Sequence, residues 1–219
     1  IMKLDITLLG VDGLYGSVLT VLSLAELGIG TAMNYSLYAP VAAENREKIK
    51  SYMQLYKKAY LSIAGIVTVI GIAIAPFLKY IIKEPGGLTT KELTVYYFIF
   101  LFNTVSTYFV AYKYSLVNAE QKNYIQTNII TLTRLITTLL QVVIILLTQS
   151  FLAYLLTAAF VELLQKVFAN HYLNRLYPYL KEKNVKKLTQ EETRPIIENT
   201  KALVYHKVGD VARLQTDNI

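Results

Sequence analysis

Cysteine and tryptophan are absent from this chain of 219 residues, and histidine occurs only twice. Without cysteine the described sequence offers neither a disulfide nor a thiolate metal site, and His171 and His206 are too far apart to indicate a zinc centre. The sequence also lacks a P-loop, a nucleophile elbow and a dinucleotide-binding fingerprint. We therefore expect no cofactor, no metal and no ATP hydrolysis by this stretch, and we predict that the protein is not an enzyme.

Charged residues are scarce as well, at 17%, whereas hydrophobic residues reach 54% and cluster in long runs. Soluble domains have a similar share of apolar residues but about a quarter charged ones. An integral membrane protein is the simplest interpretation. The net charge of +7 could suggest a nucleic acid partner. The basic residues lie between the apolar runs, however, so they favour a role in setting membrane topology, and we expect no nucleic acid partner.

Five apolar runs are long enough to cross a bilayer, because about 20 helical residues cover its hydrocarbon core. These spans lie near 14–38, 59–82, 93–117, 124–147 and 151–172. Residues 1–12 are expected to end a preceding helix 1 and to turn at Gly10–Gly13, which gives a transmembrane lobe over 1–173. The predicted fold class is all-α, a polytopic membrane helix bundle.

The joints between these spans carry their own signals. Pro40 is expected to close the first span, and a basic amphipathic helix is expected to lie on the membrane surface before the second. Gly71 and Ala75 offer a close helix contact, and Pro76 predicts a kink.

The segment 174–195 is polar and highly charged, and it is interpreted as a linker. Residues 196–219 are interpreted as the start of a further helix, either another span or a surface helix. The connections after the first, third and fifth spans carry many more lysines and arginines than the opposite ones. The positive-inside rule therefore places the 174–195 segment in the cytoplasm.

The first span carries one carboxylate, Glu26, near its middle. Glu26, Gly30 and Asn34 make a polar stripe beside a ridge of small residues at Gly28, Ala32 and Ser36, which favours close helix packing. Ionisable groups inside a membrane are costly and tend to be functional. A transport role and a structural hydrogen bond to a neighbouring helix both remain open for Glu26.

The fourth span carries an arginine close to the bilayer midplane, since Arg134 lies roughly 16 Å along the helix from Asn123. Arginine cannot lose its proton, so Arg134 must face protein, water or an anion. It belongs to a polar stripe that recurs at steps of four and three: Thr127, Thr131, Arg134, Thr138 and Gln141. A cation there suits an anionic cargo. The alternative is a permanent pair with Glu26 that locks the bundle.

Two further polar patterns mark the third and fifth spans. Asn103 and Thr107 share one face of the third span. Glu162 and Lys166 lie one turn apart on the fifth, so we expect them to form an ion pair.

Three stretches carry a resemblance to a known family: LGVDGLYGSVLTVLSLAELGIGTAMNYSLYAPVAAENREKIKSYMQLYKKAY, LNRLYPYLKEKNV and KALVYHKVGDVARLQTDNI. They resemble the bacterial polysaccharide repeat-unit flippases (O-antigen type) of the multidrug/oligosaccharidyl-lipid/polysaccharide exporter superfamily. The resemblance implies two six-helix lobes in the bacterial cytoplasmic membrane. It also implies that alternating access moves an undecaprenyl-diphosphate-linked oligosaccharide for lipopolysaccharide or other surface polysaccharide biosynthesis. Polysaccharide polymerase and chain-length machinery are the implied protein partners.

On this interpretation the chain corresponds to the first lobe, without most of helix 1 and ending in helix 7. The family has no shared catalytic motif to transfer, so the candidate site rests on depth and spacing. The predicted ion-coupling residues are Glu26 and Asp210. The predicted substrate-binding residues are Arg134, Arg213, Lys207, Thr131, Thr138, Gln141 and Asn103.

Two other classes are weighed against the flippase. A cation-coupled multidrug exporter of the same superfamily would favour a cavity dominated by carboxylates. A membrane glycan polymerase or ligase would place acid and base residues in a long outer loop. The outer connections are short, KEPGGLTTKE and TQS, which counts against the polymerase or ligase.

Overall fold

The computed structural model describes residues 6–22, 24–82, 87–182 and 185–216, without the side chains at 6, 7, 9, 20–28, 81, 207, 208 and 210–216. Everything regular in these ranges is helical, which confirms the predicted all-α class. A bilayer offers no water to the backbone, so a spanning segment must satisfy its own hydrogen bonds as a helix. The helices are α1 (Ile6–Leu22), α2 (Leu24–Ala42), α3 (Arg46–Ile74), α4 (Leu78–Ile81), α5 (Thr90–Ala119), α6 (Asn123–Thr148), α7 (Phe151–Leu176) and α8 (Gln190–Thr216).

Four helical stretches in the described part are long and apolar enough to cross a membrane: Arg46–Tyr80, Thr90–Ala119, Asn123–Thr148 and Phe151–Leu176. They contain the second to fifth predicted spans. Their outer faces carry large apolar side chains that are exposed, such as Val69, Phe102, Leu139 and Phe160. Soluble proteins rarely expose apolar surface on this scale. The chain is therefore a membrane protein.

The first predicted span falls on α1 and α2, and Ser23 between them lies outside the described residues. It is not among the four stretches above. The predicted turn at Gly10–Gly13 is wrong, because α1 runs through both glycines. Pro40 lies within α2, which ends at Ala42, so the proline does not close the helix. Glycine and proline interrupt membrane helices less readily than soluble ones, because no water competes for the backbone.

The predicted surface helix before the second span is also wrong. α3 begins at Arg46, where the Asn45 side chain caps it by accepting a hydrogen bond from the backbone N–H of Lys48. It then continues without a break into the apolar run. At the other end a 3₁₀ turn, Ala75–Phe77, interrupts the helix around Pro76. The irregularity predicted at Pro76 is therefore confirmed.

α5 is the central helix of the bundle, in contact with α1, α2, α3, α6 and α7. α6 packs chiefly against α7, and α8 runs along α2. Because α6 has few neighbours among the described elements, most of its surface is exposed. The apolar part of that surface includes Leu132, Leu135, Leu139, Val142, Leu146 and Leu147.

Tyrosine hydroxyls connect the helices at three buried points. Tyr15 donates to the Leu93 carbonyl oxygen over 2.8 Å, and Tyr56 donates to the Met33 carbonyl oxygen over 3.1 Å. Tyr97 donates to the Gly71 carbonyl oxygen over 2.9 Å. All three tyrosines are fully buried. A buried hydroxyl needs such a partner, so each bond lets a large aromatic ring fill the core at little polar cost.

The charged segment after α7 is docked on the first turns of α3. Lys50 Nζ lies 2.6 Å from Glu182 Oε2, and the Ser51 hydroxyl donates to the Lys186 carbonyl oxygen over 2.6 Å. Lys48 Nζ lies 3.2 Å from Glu192 Oε1. The Thr189 backbone N–H and Lys48 together hold the pKa of Glu192 below its ordinary value. The predicted linker at 174–195 overlaps the end of α7 and the start of α8.

Gly71 sets the distance between α3 and α5. A Cβ atom at Gly71 would overlap the side chain of Leu101, and Leu101 is itself buried. We expect Gly71→Ala to lower the stability of the bundle by roughly 1–3 kcal/mol, since added volume in a packed core forces side chains from their rotamers. Thermal unfolding of the protein in detergent measures this loss.

The matched control is Gly65→Ala on the same helix, where an added Cβ meets nothing within 4 Å. It should leave the unfolding midpoint unchanged or slightly raised, because alanine favours a helix over glycine. Equal destabilisation by both substitutions would show that helix propensity, and not the contact with Leu101, explains the effect at Gly71.

Candidate functional site

A cavity of about 620 Å³, here called the Arg134 cavity, lies among α2, α3, α5, α6 and α7. Its size is within the range of small-molecule sites. Its described lining is mostly polar although it lies beside helices with exposed apolar faces. α6 contributes the largest share of polar groups: Gln126, Thr133, Arg134, Thr137, Thr138 and Gln141.

Only part of the predicted stripe on α6 faces this cavity. Arg134, Thr138 and Gln141 line it, and Gln141 Nε2 also donates to the Tyr154 carbonyl oxygen at 3.4 Å. Thr131 is exposed and outside the cavity, so we remove it from the candidate site. The face of α6 that lines the cavity includes Thr133 and Thr137 and is rotated away from Thr131. Packing of α6 against α7 fixes this rotation of the helix.

Arg134 presents a cation to the cavity. Its side chain is exposed there, and within the described part of the chain no hydrogen bond or ion pair engages its guanidinium. The predicted alternative, a permanent pair with Glu26, concerns a side chain outside the described ones. Guanidinium groups bind planar or phosphate oxyanions through paired hydrogen bonds. The described geometry leaves Arg134 available to an anion.

Lys166 of α7 is held by oxygens of α5. Its Nζ donates to Asn103 Oδ1 at 2.7 Å, to the Asn103 carbonyl oxygen at 2.8 Å and to Ser106 Oγ at 2.8 Å. Glu162 Oε2 lies 3.6 Å away, which confirms the predicted ion pair. Asn103 Nδ2 in turn donates to Glu162 over 2.6 Å. Asn103 does not line the cavity. It holds Glu162 and Lys166, which both do.

Two buried oxygens in the lining have no hydrogen-bond partner among the described residues. They are Thr137 Oγ1 on α6 and Asn34 Oδ1 on α2. Buried polar atoms are normally paired, so an exception needs an explanation. Both residues belong to the cavity wall, but the two oxygens themselves are not exposed to the cavity, so they do not identify a ligand.

The remaining predicted residues cannot be placed at the cavity. The side chains of Glu26, Lys207, Asp210 and Arg213 lie outside the described ones, although their backbones belong to α2 and α8. These two helices run side by side. No cluster of three metal-ligating side chains occurs among the residues searched, which are the described ones.

Sequence reasoning missed Thr133, Thr137 and Gln165 as lining residues, and it treated Glu162 and Lys166 only as a pair. Gly30 and Asn34 were seen as a polar stripe without a partner. A signal was present for Gln165, because it sits between Glu162 and Lys166 and makes a polar patch in an apolar span. No sequence signal distinguishes the two sides of α6, since both carry threonines.

Comparisons of the chain with protein-family models, with curated proteins and with solved structures found no match. The class that the fold and the site define is a helical membrane protein with a polar cavity among its helices. Its described charges are two cations and one carboxylate, Arg134, Lys166 and Glu162.

Cysteine labelling can test whether the Arg134 cavity contains water. The chain has no native cysteine, so a single introduced thiol gives an unambiguous signal. We expect Thr138→Cys to react with a membrane-impermeant maleimide in native membranes, because thiolate forms only where water reaches the sulfur. Leu139→Cys, its neighbour on the exposed apolar side, should react far more slowly. Equal rates at the two positions would contradict a hydrated cavity.

A double-mutant cycle tests the network around Lys166. Glu162→Gln keeps an acceptor for Asn103 but leaves the buried ammonium without a carboxylate, which should cost roughly 1–3 kcal/mol of stability. Adding Lys166→Met removes that unpaired charge and should restore most of the loss. Unfolding midpoints of the single and double variants in detergent measure the coupling. Additive losses would show that the two side chains do not stabilise each other.

Proposed function

We propose that the protein is a transporter that moves undecaprenyl-diphosphate-linked oligosaccharide repeat units across the bacterial cytoplasmic membrane by alternating access, for surface polysaccharide biosynthesis. In this proposal the chain forms the first lobe of a two-lobe exporter. Polysaccharide polymerase and chain-length machinery would act on the delivered product.

The observation that carries the proposal is the Arg134 cavity. A permanent cation lines a polar cavity inside a membrane bundle, with no described carboxylate bound to it. Intramembrane charges are costly and mark substrate or ion pathways. The diphosphate of a lipid-linked glycan supplies the anion, and Thr138 and Gln141 offer polar groups to the hydroxyls of its first sugars. The volume suits the diphosphate and the adjoining sugar rather than a whole repeat unit.

The described charges favour an anionic cargo over the cationic drugs of a multidrug exporter. Glu162 is the one carboxylate in the described lining, and it is already engaged by Lys166 and Asn103. Arg134 has no such partner there, so the cavity presents a net positive charge. The short connections between α6 and α7 and between α4 and α5 leave little room for the outer catalytic loop of a polymerase or ligase.

The distribution of lysines supports the proposed orientation. Lys50, Lys57, Lys113, Lys122 and Lys181 gather at the end of the bundle where α3 begins and α5 and α7 end. The positive-inside rule favours the cytoplasm for this end. The segment docked on α3 would then be cytoplasmic.

Reconstitution into liposomes tests the proposal directly. We expect the protein to expose a fluorescent undecaprenyl-diphosphate oligosaccharide to an impermeant quencher, and we expect Arg134→Ala to reduce that rate at least tenfold. The reason is that the alanine removes the charge-assisted contact to the diphosphate. Arg134→Lys should retain part of the rate, since it keeps the charge but loses the planar fork.

The matched control is Thr131→Ala, which lies one turn away on α6 outside the cavity and should transport at the wild-type rate. Wild-type transport by Arg134→Ala would remove the central cation from the mechanism. Efflux of cationic dyes by the wild-type protein, without movement of the glycolipid, would favour the multidrug exporter instead.

A further inference from the structure

A second cavity, here called the lysine cavity, lies among α3, α5, α7 and the segment that follows α7, and its volume is about 960 Å³. In their described linings it shares only Val110 and Lys166 with the Arg134 cavity. It contains one described carboxylate, Glu182, which is already bound to Lys50. The lysines in its lining are Lys50, Lys57, Lys58, Lys113, Lys166 and Lys181.

Lys113 is the critical group, because it is buried without a carboxylate partner among the described residues. It is 5% exposed, and its Nζ donates to the neutral side-chain oxygens of Asn170 and Asn174, the latter at 2.6 Å. Lys57 and Lys181 lie in the same lining and repel it. Buried charges are normally paired, and like charges together raise the cost further. The arrangement is therefore incomplete without an anion.

The deeper part of the same cavity carries exposed apolar side chains beside Ser106 and Lys166, which are already bonded to each other. Leu61 lies one turn beyond Lys57 along α3, and Phe109 lies one turn before Lys113 along α5. On α7, Leu163 and Val167 precede the asparagines in the same way. All four apolar side chains are exposed. α5 and α7 run towards the basic end of the bundle, and α3 runs away from it. On all three helices these lysines or asparagines therefore lie nearer to the basic end, and these apolar residues lie further from it.

A ligand that satisfies both parts must carry negative phosphate at one end and hydrocarbon at the other. We infer that the lysine cavity binds an anionic glycerophospholipid of the bilayer, with its phosphate at Lys113 and its acyl chains over Phe109, Leu163 and Val167. A soluble polyanion would leave the apolar half uncovered. A zwitterionic lipid would bring its own cation against the lysines.

The source is bulk lipid rather than transported cargo, because the apolar half of the cavity belongs to the outer, exposed faces of α5 and α7. Cargo would have to enter the bundle, where Arg134 lies. The inference is therefore independent of the proposed transport function. Arg134→Ala should leave lipid binding unchanged.

Native mass spectrometry of the detergent-purified protein tests this site. Titration with phosphatidylglycerol and with phosphatidylcholine of identical chains should show about tenfold or tighter binding of the anionic lipid, since lysines near the headgroup attract its net negative charge. Lys113→Gln should abolish that preference. The double variant Lys57→Gln/Lys181→Gln changes two exposed lysines at the mouth of the cavity and should weaken phosphatidylglycerol binding about tenfold. This variant keeps the test valid if Lys113→Gln does not fold.

The matched control changes two lysines at the opposite end, Lys79→Gln with Lys91→Gln, and should bind phosphatidylglycerol as the wild type does. Equal affinity for the two lipids, or no effect of either lysine-cavity variant, would overturn the inference. Displacement of the lipid by inorganic diphosphate at the same concentration would show that the apolar half contributes nothing. A preference for undecaprenyl phosphate over phosphatidylglycerol would overturn the assignment to bulk lipid and make the cavity a cargo site.

Discussion

The structure depends on one constraint: a polar group inside the hydrocarbon layer must find its partner within the protein. The buried tyrosines meet it by donating to backbone carbonyls of neighbouring helices, as Tyr97 does to Gly71. Lys166 meets it with two oxygens of Asn103 and one of Ser106. These bonds converge on α5, which also contacts the largest number of helices. The bond from Tyr97 and the close approach at Gly71 fix α3 against α5, and the bonds of Lys166 fix α7 against α5.

Charged groups that lack an ionic partner within the described part of the protein therefore indicate where a ligand binds. Arg134 lines one cavity without a partner for its cation among the described residues. Lys113 lies in another with neutral oxygens only. Arg134 and Lys113 thus have no carboxylate partner among the described residues, so external anions are their natural partners. Lys166 separates the two cavities and is itself fully bonded.

The helices were the most predictable part of the fold. Runs such as 93–117 and 124–147 mark α5 and α6 to within a few residues, because length and apolarity alone decide whether a segment can span. Joints were less predictable: α1 continues through Gly10–Gly13, and α3 begins at Arg46 rather than after a surface helix. Those errors share a cause, since rules for glycine and charge come largely from helices in water, and here lipid or the docked segment after α7 replaces the water.

The sequence by itself determined that the chain is a helical membrane protein and that Arg134 lies deep within a span, because hydropathy and helical rise depend only on the order of residues. It also determined the pair Glu162–Lys166, which is local to one helix. Only the tertiary structure decided that Thr137 and not Thr131 faces the cavity, that Asn103 holds Lys166, and that Lys57, Lys113 and Lys181 share one cavity. The reason is that rotation of a helix about its axis and the choice of its neighbours are set by packing against residues distant in the chain.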